Sequence, residues 1–132
     1  MAYADLTAFI RRKFGVGFLL YDESSNLTVG YTATGYSAGT KSSGTFTPDP
    51  ANGNFQYATN GGAHTLAPPS TGTGDSVSLV LDYTNNGSAG AITTSGFTKV
   101  TGDAFTTTDG NKFRCYITVG NAGSHLNVVA MQ

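Results

Sequence analysis

Ser76-Val77-Ser78-Leu79-Val80-Leu81-Asp82-Tyr83 is the stretch whose period decides the fold. Val77, Leu79, Leu81 and Tyr83 alternate with Ser76, Ser78 and Asp82, so an extended strand here has one apolar and one polar face, with Val80 an apolar exception on the polar side. Lys112-Phe113-Arg114-Cys115-Tyr116-Ile117-Thr118-Val119 repeats the pattern. Phe113, Cys115, Ile117 and Val119 share one face; Lys112, Arg114, Tyr116 and Thr118 share the other. A slip of one residue would turn either apolar set toward water, so the two strands specify a common buried layer.

Outward from these strands the period of two persists. Further strand candidates are residues 17–21, 27–34, 44–47, 54–59, 63–67, 90–94, 96–100, 104–107 and 125–130, separated by Gly, Asn, Asp, Ser and Pro. Asn52-Gly53, Asn60-Gly61-Gly62, Asn86-Gly87 and Asp109-Gly110-Asn111 supply residues that tolerate positive φ in tight hairpins. The expectation is an all-β fold, an antiparallel β-sandwich or jelly-roll-like body. Residues 36–44, rich in Ser, Gly, Thr and Ala, read as a flexible connection. This divides the chain into an N-terminal helix or arm with its linker, 1–44, and a β-sandwich body, 45–132, within one compact domain overall.

The helical period occurs once. Leu6, Phe9, Ile10 and Phe14 fall on one face of residues 4–14, Asp5 charges the first turn and Gly15 can end it. Arg11, Arg12 and Lys13 then occupy the last turn, where cations complement the helix dipole. An apolar stripe on so short a helix needs a packing partner. Leu6, Phe9, Ile10, Arg11, Arg12 and Lys13 are therefore the candidate docking residues, toward a neighbouring chain, a second copy, or the open end of the chain's own sandwich.

Composition narrows the trade. The 132 residues hold 7 basic and 8 acidic side chains, and charged residues make up 11%, against about 25% in ordinary globular domains. Gly, Thr, Ser and Asn supply the polarity instead, at 18, 20, 11 and 9 residues. With 7 Tyr, 8 Phe and a net charge of −1 the chain is too aromatic and too neutral for a disordered one. Arg11-Arg12-Lys13 is the one basic cluster, too little for phosphate recognition, so no nucleic-acid partner is expected. No apolar run reaches the roughly 20 residues of a membrane span, and no secretory signal is read.

Candidate chemistry is sparse. His64 and His125 stand far apart with no second ligand at metal spacing, and both are read on polar strand faces. Asp22-Glu23-Ser24, Pro48-Asp49-Pro50 and Gly74-Asp75 place carboxylates in turns, and neither 49–54 nor 103–111 matches a calcium loop. Cys115, in phase with Phe113 and Ile117, reads as an inert buried thiol, with an intersubunit disulfide as the alternative. Gly15-Val16-Gly17 precedes a strand rather than a helix and makes no phosphate cradle. Asn26-Leu27-Thr28 and Asn86-Gly87-Ser88 match the glycosylation pattern but read as polar turns. No cofactor, metal or catalytic group is expected.

One succession of segments is more distinctive. Thr47-Pro48-Asp49-Pro50, Gly53-Asn54-Phe55-Gln56-Tyr57 and Asn60-Gly61-Gly62-Ala63-His64-Thr65-Leu66-Ala67-Pro68-Pro69 are followed by Tyr83-Thr84-Asn85-Asn86 and Ala89-Gly90-Ala91-Ile92-Thr93. Ser95-Gly96-Phe97, Gly102-Asp103 and Thr106-Thr107-Thr108-Asp109-Gly110-Asn111-Lys112-Phe113 complete it. From about residue 46 to 132 the chain resembles a small β-rich module of tailed-bacteriophage virion proteins, in tail fibres and as free-standing structural proteins. The resemblance implies a non-enzymatic virion protein assembled in the host cytoplasm, a capsid decoration or head-fibre protein. It also implies a homotrimer docked on the major capsid protein or another virion protein. The alternative it leaves open is a tail-fibre or receptor-binding module contacting host glycan. The first forty-odd residues depart from the module and suit a small free-standing protein with a docking arm.

Overall fold

A computed structural model describes residues 29–132. The chain divides into Met1–Thr32 and Ala33–Gln132, and all the elements below belong to the second unit. The docking candidates Leu6, Phe9, Ile10, Arg11, Arg12 and Lys13, with the rest of the expected helix and the strand expected at 17–21, lie outside the described residues.

Nine strands follow one another: β1 (Tyr36–Lys41), β2 (Thr45–Phe46), β3 (Phe55–Asn60), β4 (His64–Leu66), β5 (Val77–Asn85), β6 (Ile92–Thr94), β7 (Lys99–Gly102), β8 (Lys112–Gly120) and β9 (Gly123–Met131). A six-stranded sheet in the order β1-β3-β5-β8-β9-β7 and a three-stranded sheet in the order β2-β4-β6 make an all-β, sandwich-like unit. The one helical element among the described residues is a 3₁₀ turn, Pro50–Asn52, begun by Asp49, whose side chain accepts a hydrogen bond from the Ala51 N–H.

The pairing is mixed. β5–β8 and β8–β9 pair antiparallel as expected, but β1–β3, β3–β5, β7–β9, β2–β4 and β4–β6 are all parallel. The cause is the path of the chain: β1, β3 and β5 lie in the large sheet, and β2, β4 and β6, which follow each of them, lie in the small one. Each long strand thus crosses to the other sheet and each short strand returns, so β1–β2, β3–β4 and β5–β6 stack as three parallel rungs. Stacked rungs set like residues over like: Thr40 on Thr59 on Thr84, Thr45 on Thr65 on Thr93, and Asn60 on Asn85. The Thr65 and Thr93 hydroxyls meet at 2.9 Å, which gives the abundance of Thr a structural use.

The Asn-Gly sequences at 60–62 and 86–87, expected as hairpin turns, are instead corners between sheets. Gly62 serves there by its smallness rather than by a positive φ: a Cβ on it would stand 2.8 Å from the Ser42 carbonyl oxygen of the rung beside it. The stack ends at β1, where the position in register with Asn60 and Asn85 is Lys41, its ammonium 4.4 Å above the Phe46 ring. A shift of register between Ser37 and Thr40 further breaks this edge, both features that discourage another strand from adding to it.

The core lies between the sheets. Leu79, Leu81 and Tyr83 of β5, Phe113, Cys115 and Ile117 of β8, and Leu126 and Val128 of β9 face Leu66 and Ile92 of the small sheet. Tyr83 is its centre, edge-on to Phe46 at 6.4 Å and to Phe105 at 6.0 Å.

Four segments differ from expectation. Residues 36–44 contain strand β1 rather than a free connection, because the β3 edge offers Tyr36–Lys41 a parallel ladder that outweighs the flexibility of Gly and Ser. Residues 29–34 form no strand, and Val29 and Tyr31 stand exposed. Residues 104–107 are a loop that delivers Phe105 to the core; the carbonyl of Thr106 accepts from the Asn85 side chain in place of a ladder partner. The strand expected at 96–100 begins at Lys99, since Gly96 takes φ 82° and the Thr98 N–H is held by the Ser124 hydroxyl.

Candidate functional site

The polar faces of the two deciding strands form the outer surface of the large sheet. Register places Phe55, Val80 and Tyr116 in one row across β3, β5 and β8, and Tyr57, Asp82 and Arg114 in the next. Arg114 is bidentate on Asp82: its Nε donates to Oδ1 at 2.8 Å and its Nη2 to Oδ2 at 2.9 Å. Cross-strand partners in an antiparallel pair have close Cβ atoms, which is why the fork meets the carboxylate squarely. The Asp82 hydrogen bond, and then its charge, holds Arg114 even more firmly protonated than usual.

Around the pair stand aromatic side chains that the fold leaves in water. Tyr57 is 51% exposed and Tyr116 46%, with Phe55 close behind. They border an open groove of ≈ 390 Å³ whose floor is Val80 and the ion pair. Gly35 also lines it, at a place where a Cβ would touch the Tyr57 ring at 3.5 Å. The chemistry on offer is recognition: flat apolar surface beside hydrogen-bonding groups whose charges cancel.

Beneath this face the other sequence candidates are accounted for. Cys115 points inward between Arg114 and Tyr116, free and buried, and burial, with the Asp82 charge second, pushes its thiol up to about 12. His64 is not on a polar face. It is buried, with Nδ1 donating to the Gly62 carbonyl at 2.8 Å and Nε2 3.1 Å from the Tyr83 hydroxyl, which donates to it. In β4 it is Thr65 that faces out, so the three-residue strand carries His64 and Leu66 to the core together. His125 does face solvent, 2.8 Å from the Thr101 hydroxyl. Asp103 accepts from the Ala130 N–H, and Asp49 caps the 3₁₀ turn. Among the described residues no three His, Cys, Asp or Glu side chains come together as a metal site, and none of the docking candidates at 6–13 falls within those residues.

The groove residues Phe55, Tyr57, Asp82, Arg114 and Tyr116 were not singled out by sequence. The available signal was Val80 and Tyr116, an aliphatic and an aromatic residue on strand faces otherwise polar.

Compared with protein-family models, curated proteins and solved structures, the chain finds no match.

Proposed function

We propose that this protein is a bacteriophage virion structural protein, a capsid decoration or head-fibre protein that docks as a homotrimer through its N-terminal segment, Leu6 to Lys13. One observation supports it above others: the polar residues Asn60, His64, Asn85 and Asn111 among those that carry the resemblance to phage virion modules are spent on architecture. Asn60 and Asn85 hold each other and the corner at Gly90, His64 holds Tyr83, and Asn111 with Gly110 ties the β8 approach to Asn85. Side chains committed to stacking rungs suit a part whose work is to persist and assemble, and the reading assigns no catalytic role. Stability outside a cell then comes from packing and from assembly with other subunits.

The test is quantitative mass spectrometry of purified particles from cells producing the phage that encodes the chain. Copy numbers comparable with the major capsid protein are expected. Its absence from particles overturns the reading, and a few copies per particle moves it to the tail. A chain lacking residues 1–14 is expected to keep its β circular dichroism and lose particle binding; loss of fold instead would assign that segment to the core.

A further inference from the structure

The outer groove calls for a ligand that its own composition describes. Two of the five guanidinium N–H groups of Arg114 are taken by Asp82, and the remaining three lie toward the groove and the neighbouring Tyr116 hydroxyl. Each Asp82 oxygen accepts one of those bonds and keeps a further lone-pair direction. The pair is electrically neutral as a unit. An anion approaching Arg114 meets the Asp82 carboxylate, and a cation approaching Asp82 meets the guanidinium. A purely apolar partner would strip water from both charged groups and return no hydrogen bonds. Neutral hydroxyls, which donate and accept at once, satisfy both.

The aromatic rings narrow the class further. Phe55, Tyr57 and Tyr116 offer ring surface beside the pair, and an aromatic face, negative at its centre, packs well against C–H bonds polarised by neighbouring oxygens. The Tyr57 ring lies over the Gly35 backbone, where the missing side chain leaves its face open to a ligand. Three strands at a spacing of about 4.8 Å make the site about 10 Å wide, the scale of one or two sugar rings.

We propose that this groove binds a neutral glycan, one or two pyranose rings lying against Tyr57 and Tyr116 with their hydroxyls on the Asp82–Arg114 pair. The proposal is argued from the groove alone and does not depend on the capsid reading, since it concerns the isolated chain; it gives a site to the glycan contact that the resemblance leaves as its alternative.

The experiment is a ¹⁵N–¹H NMR titration of the full chain with cellotriose, maltotriose and triacetylchitotriose, and with trigalacturonate as the anionic control. At least one neutral trisaccharide is expected to give saturable shifts at the amides of Tyr57, Asp82, Arg114 and Tyr116. Affinity should be millimolar, as an open groove allows, and should not change with salt. Tyr57→Ala and Arg114→Ala should each weaken it by about tenfold or more with the remaining spectrum unchanged, while Tyr57→Phe retains it. No saturable shift at the groove with any of the three neutral sugars overturns the proposal. So does salt-sensitive binding of trigalacturonate alone. A drop in oligomeric mass on Tyr57→Ala, read by sedimentation, also overturns it by giving the face to a second copy of the chain.

Discussion

Asn60 donates from its side-chain amide to the Asn85 side-chain oxygen across 2.9 Å, with both residues buried at the same level of adjacent parallel strands. The bond is one link in a chain. Asn60 also donates to the Gly90 carbonyl and accepts from the Gly90 N–H, while Asn85 donates to the carbonyls of Thr106 and Thr108. Two side chains thereby satisfy the backbone of two separate loops at the point where the rungs turn, a dense set of buried bonds in low dielectric.

Asn85→Ala is expected to lower stability by about 3 kcal/mol, because it strands two loop carbonyls and the Asn60 amide together. Asn85→Asp, of the same shape, should be at least as damaging near neutral pH, since a carboxylate would face the two carbonyls that the amide now serves. Urea unfolding of both variants against the parent checks the order.

Tyr83→Phe removes the hydroxyl that reaches His64 Nε2 and should cost about 1–2 kcal/mol, the range for leaving one buried polar atom unpaired. In a double-mutant cycle with His64→Leu the two losses should fall short of additive by about 1 kcal/mol, whereas strict additivity would mean that the contact contributes nothing.

Burial pushes the Cys115 thiol from 9.0 to about 12 and raises the Tyr83 hydroxyl as well. The folded chain therefore keeps protons that the unfolded chain has already released. Its stability is complete below about pH 9 and falls as pH rises through the window up to about 12. Cys115→Ala should cost about 1 kcal/mol at neutral pH and flatten that alkaline decline. Native protein at pH 8 should resist iodoacetamide and react only on unfolding; rapid native alkylation would contradict the inward placement.

Gly62→Ala drives a methyl group into the Ser42 carbonyl and should cost about 1–3 kcal/mol. Gly87→Ala, whose Cβ would meet nothing closer than Asp109 at 4.0 Å, should change stability by less than about 1 kcal/mol and in the stabilising direction. Thermal denaturation of the pair separates a packing requirement from mere turn preference, which would make the two alike.

The division between what was legible in the chain and what was not follows from these residues. The alternation at 76–83 and 112–119 is enough to assign an all-β fold, to put Leu79, Leu81, Phe113 and Ile117 in the core and to bury Cys115, because side-chain direction along a strand is a local property with a period of two. Periodicity is silent on neighbours. Whether β3 runs parallel or antiparallel to β5 depends on the chain crossing to the small sheet at 60–64, and an Asn-Gly corner has the same letters as an Asn-Gly hairpin. His64 shows the same limit: in a three-residue strand the period is too short to choose a face, and the choice falls to the Tyr83 hydroxyl waiting across the core. The groove is more distant still from sequence. Tyr57, Asp82 and Arg114 are neighbours only because β3 and β8 flank β5 in a particular register. Local sequence decided which way each side chain points; only the tertiary structure decided what it points at, since pairing energies are summed over contacts between residues far apart in the chain.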